Sequence, residues 1–262
     1  MKKNLIIISA VVTSLILNCN FQAQAQYSPP TAGLVSWWHA DGNALDAMHH
    51  NDGTIVSGLA FSGGIAGSAF SLNGNGGSVL VPASSSLNVG AGNGFTVGAW
   101  IKTSDLAIGR PIVEWVVPGG FGVLVYTWTD GSVYANIGNS SGGLHLLQSA
   151  SGLLVANQFQ NVALSYDRLS GQGSLFLNGN VIAQANFGSF AAKTDTDMSI
   201  GYRPIVSPDS PISFLGQIDE VTLYDHALWG SEMLALATVP EPTVGALLLV
   251  AGLGWVAARR KS

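Results

Sequence analysis

The chain has 262 residues, of which only 10% are charged, 47% are hydrophobic and 33 residues are glycine. Between Gln26 and Glu241 fifteen acidic residues face only five basic ones, a formal charge of −10, and such a surface repels phosphate backbones and argues against nucleic acid as a partner. It is compatible with bound cations and neutral glycans, and about two hundred residues suffice for one β domain with a full core.

At the N-terminus, Lys2 and Lys3 precede an apolar run from Leu5 to Leu17, and Ala23-Gln24-Ala25 supplies small residues at the positions a signal peptidase reads. This order predicts a secretory signal over residues 1–25. A lipoprotein signal at Cys19 is the competing reading, but Asn18 stands where a small residue usually precedes the cysteine. Cleavage after Ala25 removes the only cysteine and leaves a mature chain without disulfide or thiol chemistry.

From Gly33 to about Leu223 the pattern is one of short strands separated by Gly, Asn and Ser turns. Residues 95–102 alternate, with Phe95, Val97, Ala99 and Ile101 on one face. Residues 121–128 and 132–137 flank Asp130-Gly131, a type I′ hairpin signal, and 175–177 and 181–183 flank Asn178-Gly179 in the same way. Residues 161–166 and 218–224 give two further alternating runs. No sustained helical period occurs before Ala227, so the prediction is an all-β sandwich or jelly roll over residues 26–237.

Several stretches in order resemble the laminin-G-like jelly roll, a concanavalin-A-like two-sheet antiparallel sandwich. They are Gly33–Trp38, Asp46 with Asn51-Asp-Gly-Thr54, Gly67–Gly74, Phe95–Ile101, Asn161–Asp167, Leu175–Gly179 and Gly216–Tyr224. One departure is Gly98, where members of that family often carry Glu. The resemblance implies a structural calcium ion tying the N-terminal loop to the last strand, with Asp46 and Asp219 at the matching positions. Calcium takes six to eight oxygens, and Asn51 and Gly53 offer more within the same loop. The alternative is a solvated Asx-rich turn whose side chains bond their own backbone.

Other candidate sites are weaker. His49-His50 are adjacent in an extended stretch and point oppositely, which does not suit one zinc ion. Asp195 and Asp197 lack the glycine and distal glutamate of an EF-hand loop. Residues 138–142 match G-x-S-x-G, but no helix pattern follows, so a hairpin is expected. Glucanases on this fold place three carboxylates at alternate positions of one strand. Here strict alternation gives Gln217, Asp219 and Val221, with Glu220 on the other face, so no acid–nucleophile pair is expected and no catalytic residue is assigned. Trp100, Trp115, Tyr126, Trp128, Tyr134 and Tyr202 could stack on sugars where exposed, or belong to the core.

The C-terminus carries Pro240-Glu241-Pro242, then sixteen uncharged residues from Thr243 to Ala258, then Arg259-Arg260-Lys261. As a helix the apolar run would extend roughly 24 Å, short for a bilayer span, with the basic cluster on the cytoplasmic side. Motif, apolar run and basic end resemble the PEP-CTERM sorting signal of Gram-negative bacteria. That resemblance implies an exosortase-type processing enzyme, a transient membrane anchor and delivery to the cell surface or exopolysaccharide matrix. The expected function is a secreted, non-catalytic binding or adhesion module for polysaccharide. The alternatives are a structural or protein-interaction matrix domain and a degenerate polysaccharide hydrolase.

Overall fold

The computed structural model describes residues 27–239 apart from 57, 119 and 205–211, and Gln26–Val239 forms one compact unit. The expected signal (1–25), the Pro240–Pro242 motif and the apolar tail (243–258) lie outside the described residues. Among the described residues no helix is long and apolar enough to cross a membrane.

The strands in chain order are β1 (Leu34–Trp38), β2 (Thr54–Val56), β3 (Leu59–Gly63), β4 (Ser68–Asn73), β5 (Ser78–Val81), β6 (Gly94–Thr103), β7 (Arg110–Trp115), β8 (Val123–Thr127) and β9 (Val133–Ile137). They continue as β10 (Leu146–Gln148), β11 (Gln160–Asp167), β12 (Gln172–Leu177), β13 (Asn180–Asn186), β14 (Met198–Ile200), β15 (Tyr202–Arg203), β16 (Ile212–Ser213) and β17 (Leu215–Tyr224), before helix α1 (Gly230–Leu236). The first sheet runs β13-β12-β11-β6-β17-β4-β3, with β1 also paired to β17. The second runs β10-β9-β8-β7-β14-β5-β2, and β15 and β16 form a separate hairpin. Every registered strand pair is antiparallel. The all-β, two-sheet antiparallel sandwich expected from the strand pattern is what the chain adopts.

Period-2 alternation builds the core. Phe95, Val97, Ala99 and Ile101 of β6 turn inward with Val162, Leu164 and Tyr166 of β11 and Leu175 and Leu177 of β12. Trp115, Val123, Val125, Val133 and Ile137 of the second sheet join the same buried cluster. The outer face of the first sheet is partly covered. Helix α1 packs Met233 and Leu236 with Ala163, Phe176 and Tyr224, and Tyr27 donates its hydroxyl to the Leu236 carbonyl at 2.7 Å. Gly98 lies under this helix: a Cβ there would sit 3.0 Å from Leu236 Cδ2 and 3.3 Å from Thr222 Oγ1. The position occupied by Glu in family members is therefore closed here by helix packing.

Two local expectations need correction. The β8–β9 turn is not type I′: of Asp130 and Gly131 only Gly131 has positive φ, and Trp128 N–H bonds to the Ser132 carbonyl across a three-residue loop. The β12–β13 turn does have positive φ at both Asn178 and Gly179, as the two-residue primed turn requires. More consequentially, β17 does not alternate strictly. A bulge between Asp219 and Thr222 inserts one residue against β6, and Glu220 takes φ +49°. Val221 stays in the core, while the Asp219 and Glu220 side chains both contact groups of the outer face.

Candidate functional site

The four residues expected around calcium have protein partners of their own. Asp46 is fully buried, and its carboxylate accepts main-chain N–H bonds from Trp37 (2.8 Å), Met48 (2.9 Å), Asn51 (3.0 Å) and His50 (3.2 Å). A carboxylate has about four acceptor sites, so Asp46 has none left for a cation. Asn51 Oδ1 accepts from the Ser84 and Ser86 hydroxyls, and its carbonyl accepts from Trp38 Nε1. Gly53 donates its N–H to the Ala44 carbonyl. Asp46 bonds its own loop's main chain as the turn alternative has it, but the loop is buried rather than solvated, and the Asp46 carboxylate does not fit a metal centre.

Asp219 lies elsewhere, on the β17 bulge. Its carboxylate accepts from the N–H groups of Ile65 (2.8 Å), Ala66 (3.4 Å) and Glu220 (2.9 Å). Glu220 accepts a hydrogen bond from Trp37 Nε1, and His39 Nδ1 is 3.8 Å from its Oε2. Burial, and to a lesser extent the charge of Asp41, pushes the Asp219 carboxyl up to about 7, and burial, then the charges of Asp219 and Asp41, pushes that of Glu220 to about 8. The His39 imidazole is pushed the other way by burial and lies tilted by 31° against Trp37, with ring centroids 3.7 Å apart. Two buried carboxylates thus stand next to each other on the bulge, which alternation along β17 could not foretell. They are adjacent in sequence and closed to solvent, unlike the two carboxyls that flank a bound sugar in a glycosidase. Among the described residues no three His, Cys, Asp or Glu side chains converge to hold a metal ion.

The aromatics sort by burial. Trp115 is core, Trp100 is buried under Tyr27, and Tyr126 is buried with its hydroxyl on Glu114. Trp128, Tyr134 and Tyr202 are half-buried and reach solvent. Trp128 and Tyr134 stand on the outer face of the second sheet, with ring centroids 4.9 Å apart and planes at 26°. Register places Tyr134 between Gln148 and Tyr126, and Asn136, Leu124, Glu114 and Ser199 fall in the next row of that face. Gly109 makes room for Trp128, since a Cβ there would sit 2.8 Å from the indole.

Beside this pair lies a buried charge. Glu114 accepts from Arg203 Nη1 at 2.8 Å and from the Tyr126 hydroxyl, and the Phe121 ring centroid lies 4.5 Å from the guanidinium. Burial holds the Glu114 carboxyl above its ordinary range despite the arginine. This network went unseen in the sequence because its members are 89 positions apart and carry no motif. The G-x-S-x-G stretch lies in the loop between β9 and β10, as expected of a hairpin, with Gly142 N–H bonded to the Asn139 carbonyl. His49 and His50 are exposed.

Residues 73–233 match the concanavalin A-like lectin/glucanases superfamily, more than half of the chain. The chain belongs to this superfamily. No curated protein matches it. Among solved structures, this concanavalin A-like domain is similar to the binding domain of Paraclostridial Mosquitocidal Protein 1 at a TM-score of 0.64 and 16% identity, over 79% of this chain and 52% of that one. The binding domain of botulinum neurotoxin DC in complex with SialylT gives 0.61 at 13%, over 78% and 51%. The chain spans about half the length of these toxin domains. Domain 4 of AbnA, a GH43 extracellular arabinanase from Geobacillus stearothermophilus in complex with arabinotriose, gives 0.57 at 18%, over 82% of this concanavalin A-like chain and 100% of that one.

Proposed function

We propose that the chain is a secreted, non-catalytic carbohydrate-binding module of the cell surface or exopolysaccharide matrix. The observation that carries this reading is the half-exposed Trp128–Tyr134 pair on the outer face of the second sheet. Sugar rings present apolar C–H faces that stack on such aromatics, while hydroxyls bond to flanking polar groups. Gln148, exposed and in register beside Tyr134, supplies such a group, and the Glu114–Arg203 pair lies buried next to it. The neighbouring structures support a binding role at the level of fold alone, since shared fold does not fix ligand. The N-terminal signal, the Pro240-Glu241-Pro242 motif and an exosortase-type processing enzyme complete the proposal and account for delivery.

Calcium belongs to the proposal at a different place from the loop. Of the expected ligands Asp219 alone stays in it, since a divalent ion at its carboxylate would offset the burial that raises it. Its role would be to stabilise the bulge against the Ile65–Ala66 loop. Melting curves in calcium and in chelator test this: a calcium-dependent rise lost in Asp219→Asn supports it. No rise removes calcium and leaves the glycan reading intact.

Retention on exopolysaccharide-conjugated resin tests the main reading. The chain is expected to be retained, and Trp128→Ala to weaken retention by about tenfold, the loss of one stacking contact. Retention unchanged in Trp128→Ala would contradict the assignment, and no retention at all would favour a structural or protein-binding matrix role.

A further inference from the structure

A groove of about 460 Å³ opens on the outer face of the first sheet, at the end that helix α1 leaves bare. Its floor is a row in register across neighbouring strands. Ser71 of β4 pairs with Gln217 of β17, which pairs with Lys102 of β6, and Ser62, Asn157 and Gly216 complete the lining. Gly216 admits no other residue, because a Cβ there would collide with the Lys102 main-chain carbonyl and its φ is +135°. The Gln217 amide N–H₂ is held by Ser62 Oγ at 2.7 Å and the Gly63 carbonyl at 2.6 Å.

Charge singles out Lys102. Among the five cations between Gln26 and Glu241, Arg110 pairs with Asp105 at 2.6 Å, Lys193 with Asp195 at 2.8 Å and Arg203 with Glu114 at 2.8 Å. Arg168 donates to the carbonyls of Ala91 and Gly92. Lys102 alone has no carboxylate or carbonyl partner among the described residues. Its ammonium lies 5.6 Å from the Phe159 ring centroid, a contact that steadies the side chain without neutralising it. Among the described residues no acidic side chain lines the groove, in a domain that is otherwise strongly acidic.

We propose that this groove is a second sugar subsite, specific for a carboxylate-bearing (uronate) residue, with Lys102 as counter-ion to the carboxylate. Ser62, Ser71, Asn157 and Gln217 offer donors and acceptors to the ring hydroxyls, and the groove has the size of a small-ligand cleft, roughly 300–1,000 Å³. The proposal rests on the carbohydrate-binding reading but places the ligand on the opposite sheet from Trp128.

The test is titration calorimetry of the full chain, in chelator, with trimers of galacturonate, glucuronate and mannuronate and with their methyl esters. At least one uronate is expected to bind, to bind more weakly as salt rises, and to lose about tenfold or more in affinity on methyl esterification or in Lys102→Met. Gln217→Glu, which sets a like charge beside the carboxylate, is expected to weaken it similarly. Failure of all three uronates, equal binding of the esters, or undiminished binding in Lys102→Met would overturn the subsite. Neutral glycan retention sensitive to Trp128→Ala would survive any of those results, so the two readings fail separately.

Discussion

Asp46 and Asp219 are both buried carboxylates, yet they do different work. Asp46 answers four main-chain N–H groups, so its charge is matched by oriented dipoles. Asp219 shares a bulge with Glu220, and burial and repulsion raise both carboxyls, to about 7 and about 8. A carboxyl whose folded pKa lies above its unfolded value stabilises fully below the unfolded pKa, and that contribution is lost as pH rises through the folded one. In chelator, the melting temperature is therefore expected to fall between pH 5 and pH 9, and the fall to shrink in the Asp219→Asn, Glu220→Gln double variant. A flat profile in the parent would contradict the paired burial. Asp46→Ala is expected to destabilise by about 3 kcal/mol through orphaned N–H groups, equally in calcium and in chelator. A loss confined to calcium would return Asp46 to the role of metal ligand.

At the scale of elements, β6 was legible because Phe95, Val97, Ala99 and Ile101 fall at period 2 in a strand buried on one face by the core. The Asn178-Gly179 turn was legible because both positions need positive φ. The β17 bulge was not: one inserted residue leaves no composition mark, and it turned Glu220 from the opposite face to the side of Asp219. Asp130-Gly131 misled in a similar way, since one glycine in the left-handed region serves a three-residue loop as well as a primed turn. Helix α1 explains Gly98 only once its packing is known. Gly98→Glu is expected to destabilise by about 1–3 kcal/mol, because the side chain must displace Leu236. Chemical denaturation checks this, and a neutral result would mean that α1 lifts from the sheet at little cost.

The whole molecule divides its labour between two outer faces. The first sheet is partly covered by α1 and Tyr27 and carries a polar groove around Lys102. The second sheet exposes Trp128 and Tyr134 beside a buried ion pair. The all-β sandwich could be foreseen from strand spacing, but which aromatics reach solvent depends on register across chain-distant strands, and Arg203 meets Glu114 only in the folded protein. The indole N–H resonances of Trp37, Trp38, Trp100, Trp115, Trp128 and Trp229 report separately on core, bulge, helix and outer face. The most direct test is a nitrogen–proton spectrum of the protein during titration with neutral oligosaccharide released from an exopolysaccharide matrix. The Trp128 indole signal is expected to shift progressively while those of Trp115 and Trp229 stay in place. A saturable shift at Trp229 with Trp128 unmoved would contradict the assignment of the sugar-binding face.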